Sequence, residues 1–166
     1  MAKNFQTEVI SILVDNESNV LSRVVSLFSR RGFNIDSLTV STTNDTKLSR
    51  ITIVFTGTEN ALHQIVTQTE KLEVVRDIFT LEAKDSIYRE LLLIKLNADK
   101  TARTAIREIV DIYRGKIIDL SKTGMIIEMT GAPGKIEAFM DMMSCYDIVE
   151  VCRTGITGIA RSVALT

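Results

Sequence analysis

Apolar and polar positions first alternate, then fall into helical spacing, then alternate again, and the chain runs through this order twice. Residues 8–14 (Glu-Val-Ile-Ser-Ile-Leu-Val) alternate loosely and predict a strand. Over residues 20–31, Val20, Leu21, Val24, Val25, Leu27 and Phe28 form one stripe of a helix, with Ser22, Arg23, Ser26, Ser29 and Arg30 opposite. Ser18 suits the N-cap of that helix and Gly32 a left-handed residue that ends it. Strand character returns over 34–42, Asn44-Asp45-Thr46-Lys47 marks a turn, and 49–57 alternates into a third strand. A second helix over 59–72 turns Leu62, Ile65, Val66 and Leu72 inward behind a Thr58 cap, and 74–81 makes a fourth strand.

The second half repeats the order. Residues 90–96 are an apolar strand, and 102–113 a helix with Ile106, Ile109, Val110 and Tyr113 on its apolar side, stopped by Gly115. Residues 116–120 and 125–130 form a hairpin, 135–143 a helix opened by Ala132-Pro133-Gly134, and 148–152 a last strand. The breakpoints share a spelling, Arg31-Gly32-Phe33-Asn34-Ile35-Asp36 against Arg114-Gly115-Lys116-Ile117-Ile118-Asp119. Each half is therefore expected to be an α+β, ferredoxin-like βαββαβ unit with both helices on one sheet face. The division is placed within Ala83-Lys84-Asp85-Ser86, giving domains 1–82 and 83–166. Open strand edges and a second sheet face favour pairing with another copy.

Composition narrows the function. With 45% hydrophobic and 25% charged residues the chain can pack a core, and a formal net charge of −1 gives no general pull toward nucleic acid or anionic membranes. The opening Met1-Ala2-Lys3-Asn4-Phe5 is too polar for a secretory leader, and no apolar run reaches membrane-spanning length, so a cytoplasmic protein is expected. Cys145 and Cys152 match neither a CxxC redox site nor a zinc knuckle; spacing leaves a disulfide open, and reduced thiols are the reading a leaderless chain favours.

The candidates for chemistry are few. His63, the single histidine, lies toward the polar side of its helix without companions for a metal or a general base, so a solvated surface residue is expected. Asp15 and Glu17 precede a helix and are read as favouring its dipole. Met140, Met142 and Met143 suggest adaptable packing or, with less weight, a partner patch. Arg153-Thr154-Gly155-Ile156-Thr157-Gly158 superficially suggests a phosphate loop, but no helix pattern follows it, so a terminal strand extension or a contact surface is expected instead. What remains is the turn over residues 15–19, where a helix begins with unpaired backbone N–H groups and its positive dipole end. Such a turn holds a carboxylate rather than reacting with it.

The residues Asp15-Asn16-Glu17-Ser18 with Val20-Leu21-Ser22-Arg23-Val24, then Leu27-Phe28-Ser29-Arg30-Arg31-Gly32-Phe33-Asn34-Ile35 and Leu48-Ser49-Arg50-Ile51-Thr52-Ile53, closely resemble the regulatory (small) subunits of acetohydroxyacid synthase, also called acetolactate synthase. The likeness continues through Arg89-Glu90-Leu91, Tyr113 to Asp119, Thr130-Gly131 and Arg153-Thr154-Gly155-Ile156. It implies an N-terminal ACT domain over 1–82 that binds an amino acid and dimerises, and a C-terminal domain over 83–166 that contacts a catalytic subunit. That subunit would carry thiamine diphosphate, magnesium and FAD and condense two pyruvates to 2-acetolactate with loss of carbon dioxide. This chain would carry no cofactor, metal or catalytic residue of its own. It would raise the partner's activity and confer feedback inhibition by valine or another branched-chain amino acid.

The resemblance also implies a site between two chains. Asn16, Ser18, Asn19 and Val20 of one would meet Asn34 and Ile35 of the other. Backbone N–H groups at Asn19 and Val20 would take the effector carboxylate, and the Asn34 side-chain oxygen with nearby carbonyls its ammonium, by charge-assisted hydrogen bonds. The family usually has glycine where this chain has Asn19, a residue that tolerates a left-handed backbone better than most but adds a side chain beside the ligand. The alternative from another class is a freestanding ACT-domain amino-acid sensor acting on a different enzyme.

Overall fold

A computed structural model describes residues 5–161, so part of the polar opening weighed against a leader lies outside the described residues. The first six elements are β1 (Gln6–Asp15), α1 (Val20–Ser29), β2 (Ser37–Thr42), β3 (Leu48–Gly57), α2 (Glu59–Thr69) and β4 (Val75–Thr80). They build an antiparallel sheet of order β2-β3-β1-β4. Period-2 alternation turns Ile10, Ile12 and Val14 of β1 and Ile51, Ile53 and Phe55 of β3 to one face. Val20, Val24 and Phe28 of α1 and Ile65 of α2 close over them. Phe28 meets the Phe55 ring edge-on at 5.6 Å. Each such buried side chain contributes ~1.5–3 kcal/mol, which is why a ten-residue helix holds here at all.

The next six elements repeat the plan: β5 (Ser86–Asn97), α3 (Lys100–Ile112), β6 (Lys116–Leu120), β7 (Gly124–Gly131), α4 (Pro133–Met143) and β8 (Asp147–Arg153). The sheet order is β6-β7-β5-β8, and a short ninth strand, β9 (Thr157–Ala160), pairs with β5. Leu92, Ile94, Leu96, Ile127 and Met129 form the sheet side of the core under Ile106, Val110, Ile136 and Phe139. The twice-repeated βαββαβ order and the helices on one face are as expected. By compactness, the described residues through Ile87 are joined by those from Ile156 onward, while Tyr88–Gly155 form a second unit. Among the described residues no helix is long and apolar enough to cross a membrane.

Local expectations needed correction at three places. Residues 34–36 are not yet strand, because Phe33 and Ile35 turn in against the core before Asp36 N reaches Val54 O at 2.8 Å and β2 begins at Ser37. The N-cap of α1 is Asn19, not Ser18, and its backbone is left-handed, φ 67 and ψ 0. The third concerns the helix stops. At the end of α1, Phe33 N bonds Phe28 O and Gly32 N bonds Ser29 O, with Gly32 left-handed at φ 70. At the end of α3 the same paired bonds run from Gly115 N to Val110 O and from Arg114 N to Asp111 O, and the left-handed residue is Arg114, φ 56. Gly115 is needed for closeness instead, since a Cβ there would lie 3.2 Å from Val110 Cγ1 and 3.3 Å from Glu128 O.

Candidate functional site

The turn between β1 and α1 is fixed by the hairpin turn beside it. Asn16 N donates to Lys47 O at 2.7 Å, Asn16 Nδ2 to Thr46 O at 2.9 Å, and Ser49 Oγ to Asn16 Oδ1 at 3.0 Å. The Asn16 side chain is thus engaged within its own chain and shapes the turn. Ser18 and Asn19 are exposed, while Val20 is 4% exposed and packs into the core, so Val20 can offer a ligand only its backbone.

The start of α1 is electrostatically unfilled. No side chain caps it and its first turn contains no acidic residue. The expected service of Asp15 and Glu17 to the helix dipole is not what the structure shows for Asp15. Arg76 of β4 grips that carboxylate with Nε at 2.6 Å and Nη2 at 2.5 Å. The hydrogen bond to Asp15 and then its charge raise the Arg76 pKa further above the ordinary arginine range. Nothing local could have revealed that pair, since its partners lie 61 positions apart and meet only because β1 and β4 are neighbours. An open cleft of about 710 Å³ runs from Asn19 along α1, past Arg23, Ser26 and Arg30, to Lys71.

Asn34 and Ile35 lie at the other end of α1. The helix has ten residues, or ~15 Å at 1.5 Å per residue, so a single chain keeps them well apart from Asn19. Asn34 is exposed and donates from Nδ2 to Asp36 Oδ1 at 3.1 Å, so its amide nitrogen, not its oxygen, is what Asp36 engages. Asp36 in turn accepts from Thr56 Oγ1 at 2.9 Å. Ile35 is half-buried against the core. The six site residues therefore form two groups, Asn16 to Val20 and Asn34 with Ile35, at opposite ends of one unit.

The corresponding turn of the other unit is built differently. There the Asp99 side chain caps α3, accepting from Ala102 N at 2.8 Å. That unit also carries an ionic cluster with one buried member: Glu90, 3% exposed, receives Arg153 Nε at 2.7 Å and Nη2 at 2.9 Å, and Nη2 also reaches the exposed Glu137 at 2.7 Å. The hydrogen bond that Arg153 donates to Glu90, against a smaller opposing effect of burial, raises the Arg153 pKa.

The remaining candidates resolve simply. His63 is exposed on α2, and Cys145 and Cys152 are free and exposed. Met140 and Met143 pack into or against the core while Met142 is 45% exposed. Among the described residues no group of three or more His, Cys, Asp or Glu could hold a metal ion.

The family model described as the AHAS small subunit-like ACT domain matches residues 10–77, and that described as the small subunit of acetolactate synthase matches residues 89–162. The acetolactate synthase small subunit of Mycolicibacterium smegmatis is 42% identical over 161 residues, covering 97% of this chain and 95% of its own. The acetolactate synthase isozyme 3 small subunit of Escherichia coli is 40% identical over 154 residues, 92% and 94% of the two chains. The crystal structure of the acetolactate synthase small subunit from Thermotoga maritima superposes with a TM-score of 0.87 at 38% identity, over 95% of this chain and 98% of that one.

Proposed function

The chain belongs to the family of acetolactate synthase small subunits, non-catalytic regulatory chains, and from that premise we propose that it is a cytoplasmic subunit that activates a catalytic partner and makes it answer to valine or another branched-chain amino acid. The observation that carries the reading is the likeness to these small subunits along nearly the whole chain, through both repeats. Thiamine diphosphate, magnesium and FAD belong on the catalytic subunit, and this chain contributes binding and coupling. The ACT domain over 1–82 takes the effector and dimerises, and the C-terminal domain over 83–166 supplies contact with the partner.

The effector lies between two copies. The uncapped start of α1, with N–H groups at Asn19 and Val20, takes the carboxylate; Asn34 of the second copy offers its side-chain oxygen to the ammonium; Ile35 contributes apolar surface. Asn16 holds the turn in shape, and Ser18 stands beside the ligand. Support comes from the uncapped helix start on one side and from the distance between the two residue groups on the other, which a site shared with a second copy would remove.

Mixing the chain with a catalytic acetolactate synthase subunit tests the reading. The expected result is a rise in acetolactate formation that neither chain shows alone, then its suppression by valine. No rise at any ratio of the two chains would overturn the regulatory role. A rise insensitive to valine, leucine and isoleucine would overturn the effector site alone. Sedimentation should show at least a dimer at micromolar concentration with valine present, and a monomer would contradict the shared site.

A further inference from the structure

The middle of the first sheet's face turned away from α1 and α2 is as dry as the core, although no helix of that unit lies on it, while Ser41 and Asp77 toward one end of the same face are exposed. Cross-strand pairing lays two rows across this face: Ser37–Val54–Val9 continuing to Leu81, and Thr39–Thr52–Ser11–Phe79. Val9 and Val54 are each 4% exposed, Thr52 2% and Ser11 0%. Arg50 of β3 covers part of the second row, donating to Ser11 Oγ at 2.7 Å and standing 5.6 Å over the Phe79 ring, but it does not account for Val9 and Val54, and a sheet face left to water would not look like this.

We infer that the segment from Ile156 to Ala160 is a strap that seals this face of the effector-binding unit. Ser37 Oγ accepts from Ile156 N at 3.4 Å and Thr39 Oγ1 donates to Ile156 O at 3.5 Å, at the β2 end of both rows. These bonds are long, so the hold is a matter of coverage more than of hydrogen bonding. Ile156 is half-buried, Gly155 and Gly158 are buried, and the residues from Ile156 onward belong to the first compact unit. The strap has a firm root. Arg153 is clasped by Glu90 and Glu137, Thr154 exchanges bonds of 3.1 Å with Leu91, and left-handed Gly155, φ 77, immediately precedes Ile156. The glycine-bearing segment that superficially suggests a phosphate loop is on this view a cover, its glycines there for the turn and for close approach.

A consequence follows that rests on the proposed effector site. Asn34 and Ile35 sit immediately before β2, so a strap that steadies β2 steadies their half of the pocket.

Amide hydrogen exchange on the full chain tests the strap, with Ile156→Asp as the disruptive variant, Ile156→Val as the conservative one, and Ser37→Ala with Thr39→Val to remove the two clasps. Ile156→Asp should speed exchange in β2, β1 and β3 by about tenfold, with β6 and β7, which do not pair with the strap, as an unchanged internal reference and Ile156→Val behaving as the parent. Unchanged exchange in β1 and β3, or an equal rise in both units, would overturn the strap. A smaller rise in the clasp variant supports coverage as the larger part of the hold, and a rise as large as that of Ile156→Asp would overturn that ranking. Valine affinity is read on the same proteins. Weakened binding by Ile156→Asp supports the link to the pocket; accelerated exchange with unaltered valine binding would overturn that link and leave the strap standing.

Discussion

Two helices that begin in the same place in two copies of one fold begin in opposite ways. α3 has its first turn answered from within, by the Asp99 carboxylate. α1 starts from a left-handed asparagine with no side-chain cap and no acidic residue in its first turn. Each central strand also carries a carboxylate near its start: Glu90 faces Arg153, whereas Glu8 feels Glu59 and Glu82. One copy is finished internally and the other is left with unspent potential. The fold does not decide which; a handful of polar residues does.

The contrast breaks most visibly at the buried ion pair. Arg153→Met keeps the aliphatic stem but leaves Glu90 without its partner at 3% exposure, and should cost ~3 kcal/mol or more by chemical denaturation. Arg76→Met, at the more exposed pair of the other unit, should change the same midpoint very little. Equal effects would show that the two pairs are energetically alike.

Next in size is Asn19→Gly. Glycine accepts φ 67 at no steric cost and removes a polar side chain beside the proposed carboxylate site, so valine should bind more tightly, by up to about a hundredfold if a polar group is otherwise left unsatisfied at ~1–3 kcal/mol. Calorimetry with valine, leucine and isoleucine reads this, and equal affinities in both forms would show that the asparagine does not crowd the site.

Asp99→Ala sharpens the comparison by making α3 resemble α1. Loss of the cap should lower stability by ~1 kcal/mol without conferring amino-acid binding on that unit. Thermal melting with and without valine separates the two outcomes.

The smallest effect concerns Glu8, whose pKa is raised above 4.5 first by burial and then by Glu59 and Glu82. Raising the pKa of an acid in the folded state favours folding while the group is protonated, and that advantage is lost as pH rises through the folded value. Glu8→Gln should therefore raise the unfolding midpoint slightly at pH 7, with the gain vanishing below pH 4.5.

Periodicity was enough to read the element order, the two cores and most of the helix faces, because those follow from local alternation in a chain with little else to bury; Leu21, expected on the apolar stripe of α1, is 39% exposed instead. Thr58 was legible as a cap and its side chain does accept from Ala61 N. Long-range polar partners were not legible. Arg76 reaching Asp15, Ser49 reaching Asn16 and Arg153 reaching Glu90 join residues 33 to 63 positions apart, and no spacing announces them. The shared Arg-Gly spelling misled by one position, because Gly32 supplies a left-handed backbone and Gly115 supplies room. Of the proposed site, the expectation that asparagine tolerates a left-handed backbone agrees with Asn19 at φ 67. Its distance from Asn34 needed three dimensions.

The bonds from Ile156 to Ser37 and Thr39 span 119 and 117 positions of sequence, far more than any strand pairing within either sheet. Closing so long a loop is slow and comes late. During synthesis, β1 to β4 emerge first and can pair at once, yet Ile156 follows only after all of β5 to β8 has been made. The unit that starts to fold first is thus the last to be finished. Until then its second sheet face lies bare, and it is in that interval that a nascent chain would most need shelter from aggregation.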